Sequence, residues 1–196
     1  MSARPLRADA ERNRQRILAV ARDAYAAGGV EVSLDEIARL AGLGVGTVYR
    51  RFPTKDALLD ALFEEQMTAY AEHTEAARDL AETDPWRAFR EHVLFIGSAQ
   101  ACDLGFSDIL RDPARGSAEF QALHRRALRA SMALVRTAKA AGALRADFRH
   151  SDLLLLTNAN FGVVSAQPGT ATAASRRLVD LMLDAFAAPP HRHPRH

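Results

Sequence analysis

The segment from Ser33 to Leu58 carries helix start and stop signals so closely spaced that few local folds satisfy them. Ser33 stands where an N-cap belongs, with Glu36 three residues on, the pattern of a capping box. A short helix over 34–41 would bury Leu34, Ile37, Ala38 and Ala41, and Gly42 stops it. A second short helix opens near Gly44 and closes before Pro53, and Thr54 then caps a longer one. That second helix offers Val45, Val48 and Phe52 on an apolar side. Its other side carries Thr47, Tyr49, Arg50 and Arg51, with Lys55 just beyond. Such a side suits a phosphate backbone and the floor of a DNA groove. The segment therefore reads as a DNA-binding helix-turn-helix.

The rest of the chain also reads as helices, with no period-2 strand and no internal repeat. The first helix is predicted from about Ala8 to Ala27, with Ile17, Val20, Ala21, Ala24 and Tyr25 as its stripe and Gly28-Gly29 as its stop. Lys55 opens a long helix to about Glu82. Asp84-Pro85 starts the next, since proline suits a first helical position. A short helix spans Leu104 to Leu110 and ends at Asp112-Pro113. The seventh runs from Ser117 to Ala141 and closes at Gly142. Ser151-Asp152 opens the eighth, to about Ala166, and the ninth follows the Gln167–Thr170 turn to about Ala187. The expected fold is all-α with about nine helices. A three-helix helix-turn-helix domain with a basic arm (1–56) precedes a helical bundle (57–188) and a Pro- and His-rich tail (189–196) expected to be disordered.

Composition excludes several classes. No apolar run approaches the roughly 20 residues a membrane helix needs. No apolar segment follows the Arg-rich N-terminus, which argues against a secretory signal. A single cysteine, Cys102, forbids an internal disulfide and fits a reducing compartment, the cytoplasm by default. It also lacks a second cysteine to resolve an oxidised form. The net charge is only +2, but residues 1–56 carry +3 and the remainder −1. Arg4, Arg7, Arg12, Arg14 and Arg16 supply the N-terminal excess, the electrostatic footprint expected beside a DNA-reading helix.

The last two helices are too apolar for a surface position. Leu153–Leu156 are consecutive leucines, and Leu178, Val179, Leu181, Met182, Leu183 and Phe186 wrap more than half of the ninth helix. A helix apolar nearly all round must be covered twice. In a chain this small the second cover is most simply another copy. A homodimer is expected, with Leu156, Asn160, Leu178, Met182 and Phe186 at the interface.

The run from Ala41 to Leu58, with its Gly-Thr-x-Tyr-x-x-Phe-x-x-Lys spacing, resembles the signature of the TetR family of bacterial transcriptional regulators. Ser33–Ala38 and Ile17-Leu18, Ala21 and Tyr25 of the first helix fit the same pattern, so the motif-level resemblance covers about residues 10 to 60. Two positions depart from it. Leu43-Gly44 replaces the usual Val-Ser, and Arg51 stands where the family has histidine. The resemblance implies a dimeric, ligand-responsive regulator of a palindromic operator, with repression the usual mode.

Within that frame the chemistry of each side chain suggests a role. Ser33 caps its helix, and its place at a helix N-terminus also suits a phosphate. Gly46 lets the backbone approach DNA or pack against the first helix. Thr47 suits a phosphate or a thymine methyl, and Tyr49 a phosphate. Arg50 is the candidate base reader because arginine pairs bidentately with guanine, and Arg51 and Lys55 read as phosphate contacts.

Bundles bind small molecules between their helices, so an effector pocket is expected among the fifth to eighth helices. Trp86, Phe89, His92, Ile96, Cys102, Phe106, Asn158 and Phe161 are its candidate residues, with core packing the competing role for each aromatic. Asn158 and Asn160 stand in an otherwise apolar helix, where buried amides need partners in a pocket or across a dimer. No cofactor is implied. The tail histidines His191, His193 and His196 have no surrounding shell to hold a metal. There is no phosphate-cradling glycine loop, no metal-spaced His/Cys set and no Ser/His/Asp cluster, so an enzyme is not expected. The competing reading is a ligand-binding or scaffolding protein of the same fold without DNA affinity.

Overall fold

The computed structural model describes residues 3–28, 31–112, 114 and 116–189. Among them are nine α-helices: α1 (Ala3–Gly28), α2 (Leu34–Ala41), α3 (Val45–Arg51), α4 (Lys55–Leu80), α5 (Pro85–Cys102), α6 (Leu104–Arg111), α7 (Ala118–Ala140), α8 (His150–Ala166) and α9 (Ala171–Phe186). One 3-10 turn (Pro168–Thr170) joins the last two. None of these helices is long and apolar enough to cross a membrane. The expectations placed on Gly29, Pro113 and the histidines of the tail lie outside the described residues.

The caps explain most boundaries. Ser33 Oγ accepts the Glu36 N–H at 3.2 Å, Thr54 Oγ1 the Ala57 N–H at 3.1 Å, and Asp84 Oδ1 the Arg87 N–H at 3.1 Å. Only half of the expected capping box forms, because the Glu36 carboxylate turns to the Arg39 guanidinium at 2.6 and 2.7 Å. Gly42 adopts φ 61° and its N–H reaches the Ala38 and Arg39 carbonyls, a left-handed stop that a β-carbon would strain. Two helices start earlier than their sequences suggest. The polar opening of α1 is sustained by side-chain pairs, Arg12 with Asp9 and Gln15 with Glu11. In α8, Asp152 lies inside the helix rather than before it, and its carboxylate accepts the Arg149 N–H at 2.9 Å.

Two apolar cores result. The first joins Ile17, Ala21 and Tyr25 of α1, Ile37 of α2, Val48 of α3 and Leu58, Leu59 and Phe63 of α4. It does not end at residue 56, because Phe106 and Ile109 of α6 and Phe120 and Ala127 of α7 complete it. The second joins the far end of α4 to α5, α7, α8 and α9 around Phe89, Leu134, Phe148 and Phe186. Rings of Phe89, Phe148 and Phe186 meet edge to face at 4.8 to 6.4 Å. The helices α4 and α7 run through both cores, so each provides a rigid link between them. At the junction α6 lies hard on α1. A β-carbon on Gly105 would fall 2.9 Å from Tyr25 Cβ.

Candidate DNA-binding face and internal cavity

The helix α3 is only seven residues long and cannot stand alone in water. It is held from behind by Val48 and Phe52, both buried in the first core. The opposite side is open. Tyr49 is 44% exposed, Arg50 and Arg51 are exposed, and Thr47 and Lys55 are half-buried. Val45 corrects the sequence expectation, for it is 45% exposed and joins Tyr49 on the outer face. As the first residue of α3 it lies one turn ahead of Val48, beyond the reach of the core. Gly46 faces open space rather than packing on α1, since nothing lies within 4 Å of a β-carbon built there.

The polar groups on this face are not all idle. Arg51 Nη2 reaches Glu11 Oε2 of α1 at 3.1 Å, which ties α3 to the first helix. Both partners are well exposed, so the pair contributes at most about 1 kcal/mol. The Asp35 carboxylate raises the Tyr49 phenol's pKa through its charge first, with desolvation and hydrogen bonding adding to it. Arg50 makes only a long 3.4 Å bond to the Gly46 carbonyl within its own helix. Thr47, Arg50 and Arg51 face Asn13 and Ile17 of α1 across a shallow groove of about 380 Å³.

A partly open cavity of about 320 Å³ lies between α4, α5, α6, α7 and α8. Ile96 and Asn158 line it, as the sequence suggests. The other proposed pocket residues lie elsewhere. Phe106 is in the first core, edge-on to Tyr70 at 6.2 Å, and only Tyr70 reaches the cavity wall. Phe161 lies under the Arg111 guanidinium at 4.2 Å. Phe89 belongs to the aromatic cluster of the second core, and Trp86 stacks on it at 6.3 Å. Cys102 is exposed at the end of α5, away from the wall. His92 is fully buried beside His73, ring centroids 6.0 Å apart, and neither of its nitrogens meets a hydrogen-bond partner. Burial, with the nearby His73 and His150 adding to it, lowers its pKa to about 3.

The polar wall groups that sequence reasoning missed are Arg111, Gln100, His124, Ser131, His150 and Thr157. They are spread over four helices and form no local cluster in the sequence. Yet His124, Ala127 and Ser131 stand three and four apart on α7, a small polar stripe on an inward face.

The proposed dimer residues are also redistributed. Leu156, Asn160 and Phe186 are buried inside the chain and cannot meet a second copy. Phe186 packs into the aromatic cluster, and Asn160 Nδ2 donates to Gln100 Oε1 at 2.9 Å. Leu178 and Met182 are half-buried against the second core. The leucines left open on α8 and α9 are Leu154 (53% exposed), Leu155 (65%) and Leu181 (49%). The leucine run at 153–156 is thus split, two inward and two outward, as helical geometry requires.

The fold and the open face of α3 define a helix-turn-helix protein of the all-α regulatory class. Residues 17–62 match the profile of bacterial regulatory proteins of the tetR family, and residues 84–187 match that of the transcriptional regulator SbtR-like C-terminal domain. The chain therefore belongs to the TetR family of transcriptional regulators. It is 31% identical to the TetR transcriptional regulator SCO0520 from Streptomyces coelicolor, covering 90% of this chain and 99% of that one, with a TM-score of 0.51. SmeT, the repressor of the Stenotrophomonas maltophilia multidrug efflux pump SmeDEF, shares the fold at 22% identity, with 93% and 96% covered and a TM-score of 0.57. Over 75 residues the chain is 35% identical to an HTH-type transcriptional regulator of Staphylococcus aureus strain USA300. That match spans 38% of this chain and 40% of the relative's length.

Proposed function

We propose that this chain is a ligand-responsive transcriptional regulator that binds its operator as a homodimer. The observation that carries this reading is the division of α3. One side is locked into the core by Val48 and Phe52, and the other presents Val45, Tyr49 and Arg50 to solvent. Each subunit lays α3 in the major groove of a palindromic operator, with half-site centres roughly 34–36 Å apart. Arg50 reads a guanine edge. Tyr49, Thr47, Arg51, Lys55 and the α2 N-terminus at Ser33 hold phosphates, and Gly46 gives the backbone a close approach. Arg51 exchanges its Glu11 partner for a phosphate on binding.

In this reading residues 1–56 are the DNA reader, and residues 57–188 are the sensor and dimer module. The exposed Leu155 and Leu181 favour pairing of subunits through α8 and α9, while Leu154 stands at the cavity rim. A small molecule seated in the cavity between α4 and α8 releases the operator, which makes the protein a cytoplasmic repressor. It acts by binding and carries out no chemistry.

Fluorescence anisotropy tests the reading. The protein is titrated onto a labelled duplex from upstream of its own gene and onto a scrambled duplex, at two salt concentrations. Tighter binding to the upstream duplex that persists at the higher salt is the expected result. Equal, salt-labile binding to both would reduce α3 to a basic surface.

A further inference from the structure

The chemistry of the cavity restricts what can fill it. Its inner walls are apolar, built from Ile96, Ala127 and Leu153 with the Tyr70 ring, while the exposed Leu128 and Leu154 stand at its rim. At roughly 30 Å³ per water-sized group, a volume of about 320 Å³ holds on the order of ten non-hydrogen atoms. Among the described residues no aspartate or glutamate lines it.

Most polar groups on the wall already have partners. Gln100 donates to the Thr157 carbonyl at 3.0 Å and accepts from Asn160 at 2.9 Å. Thr157 Oγ1 donates to the Leu154 carbonyl at 3.0 Å. Ser131 Oγ and His150 Nε2 lie 3.2 Å apart, and His124 is hydrogen-bonded to the backbone of Leu110. Burial holds both of these histidines below the usual imidazole pKa, which favours their neutral form. Arg111 differs from all of them. It is the one lining residue with a permanent charge.

Arg111 is also held in place. Its Nε donates to Asn158 Oδ1 at 3.0 Å, and its guanidinium lies over the Phe161 ring, 4.2 Å from the centroid. Asp108 Oδ1 forms an ion pair with Nη1 at 3.6 Å, too long for a hydrogen bond, so it offsets part of the charge without occupying a donor. That arrangement orients the group without saturating its five donors. Because Asn158 accepts through its oxygen, its amide nitrogen remains as a second donor at the same end. The side chain is 36% exposed, which places the charge at the cavity mouth and the apolar walls behind it.

From this arrangement we infer that the effector is a compact carboxylate with an apolar body. Its carboxylate sits on Arg111 and the Asn158 amide at the mouth, and its body fills the space between Tyr70, Ile96 and Leu153. The inference rests on the regulatory reading, since it names the ligand class of the proposed sensor. A cationic amphiphile has no counter-charge on these walls. A neutral one adds no charge-assisted bond to the donors of the guanidinium that remain open.

The test uses three probes of nearly equal shape: phenylpropanoate, phenylpropanol and phenylpropylamine. Their dissociation constants are measured by calorimetry with the full chain and with Arg111→Gln and Arg111→Lys. The acid is expected to bind about ten- to a hundredfold tighter than the alcohol, the worth of a charge-assisted bond, and the amine weakest. Arg111→Gln should abolish the preference and Arg111→Lys should restore part of it. Circular dichroism of both variants confirms that they fold. Equal affinities, a preference for the amine, no detectable binding of the acid, or a preference that survives Arg111→Gln would overturn the assignment. Operator affinity without probe is measured in parallel. Loss of sequence-specific DNA binding by the native protein would sink the regulator reading alone, whichever way the probe series falls.

Discussion

The two halves of the molecule treat polar groups differently. Around α2 and α3 nearly every local device is completed: Ser33 and Thr54 cap their helices, Gly42 closes α2, and Glu36 pairs with Arg39. The α4–α9 half buries polar atoms without partners. His73 Nε2, both nitrogens of His92 and Asn160 Oδ1 are unpaired there. The same half contains the cavity. A helix proposed to present Arg50 and Tyr49 to DNA is served by a stiff mount. A chamber proposed to take a small molecule is served by volume and by loosely satisfied groups that can rearrange. Among the described residues the orphan in the first core is the Tyr25 hydroxyl, whose pKa burial raises to about 12, and its residue lies against Gly105 of α6. The exception falls at the junction, where the stiff half meets the yielding one.

Five substitutions can break or sharpen this contrast. The largest effect is expected from Phe89→Ala, which opens a hole in the aromatic cluster and should cost about 3–5 kcal/mol in urea unfolding. A loss below about 1 kcal/mol would mean that the second core is looser than its packing suggests. Next, Arg50→Ala should weaken operator binding by about 1–3 kcal/mol, and Tyr49→Ala should weaken it less. Both should leave the melting temperature nearly unchanged, because neither side chain is buried. Unchanged affinity in both would show that α3 is not the reading element.

His92→Leu removes an unpaired buried imidazole, so at neutral pH it should be neutral or stabilising by about 1 kcal/mol. Its clearer effect is on pH dependence. An unfolded histidine titrates near 6.5, whereas folded His92 titrates at about 3. Between those values the unfolded chain binds a proton that the folded chain excludes. Stability is therefore full above the unfolded pKa and falls as the pH drops toward the folded one. Melting temperatures at pH 7.5 and pH 5 should differ less in His92→Leu than in the native protein. The remaining difference would come from His73, His124 and His150, whose pKa values burial also lowers. The smallest effect is expected from Arg51→Ala. Loss of its exposed bond to Glu11 should change stability by less than about 1 kcal/mol, while DNA affinity falls further than that. A larger stability loss would make Arg51 a structural tie first.

The helix α3 and its exposed face were legible in the sequence because their signals are local. A cap, a glycine stop and a proline bound α3 within a few residues of the side chains it displays, and helical periodicity then separates Val48 from Arg50. Even there the sequence misjudged Val45, since a first-turn residue can lie on either side of where a core ends. The cavity was only partly legible. Ile96 and Asn158 emerged from their own helices, but Arg111, His124 and Gln100 did not, because a wall shared by five helices has no local pattern.

The leucine-rich ends of the chain make the same point. Their composition by itself determined that α8 and α9 carry more apolar side chains than one buried stripe holds, from which a second cover was expected. Only the tertiary structure decided that Leu153 and Leu156 face inward while Leu154 and Leu155 remain open. Helix boundaries, the turn and the all-α class follow from interactions between residues at most four or so apart, which a linear sequence states directly. Which buried histidine goes unpaired, and where a charge meets an apolar chamber, depend on how α4 to α8 pack against one another. Those contacts join residues far apart in the chain, such as Arg111 and Asn158, and arise only when the whole bundle closes.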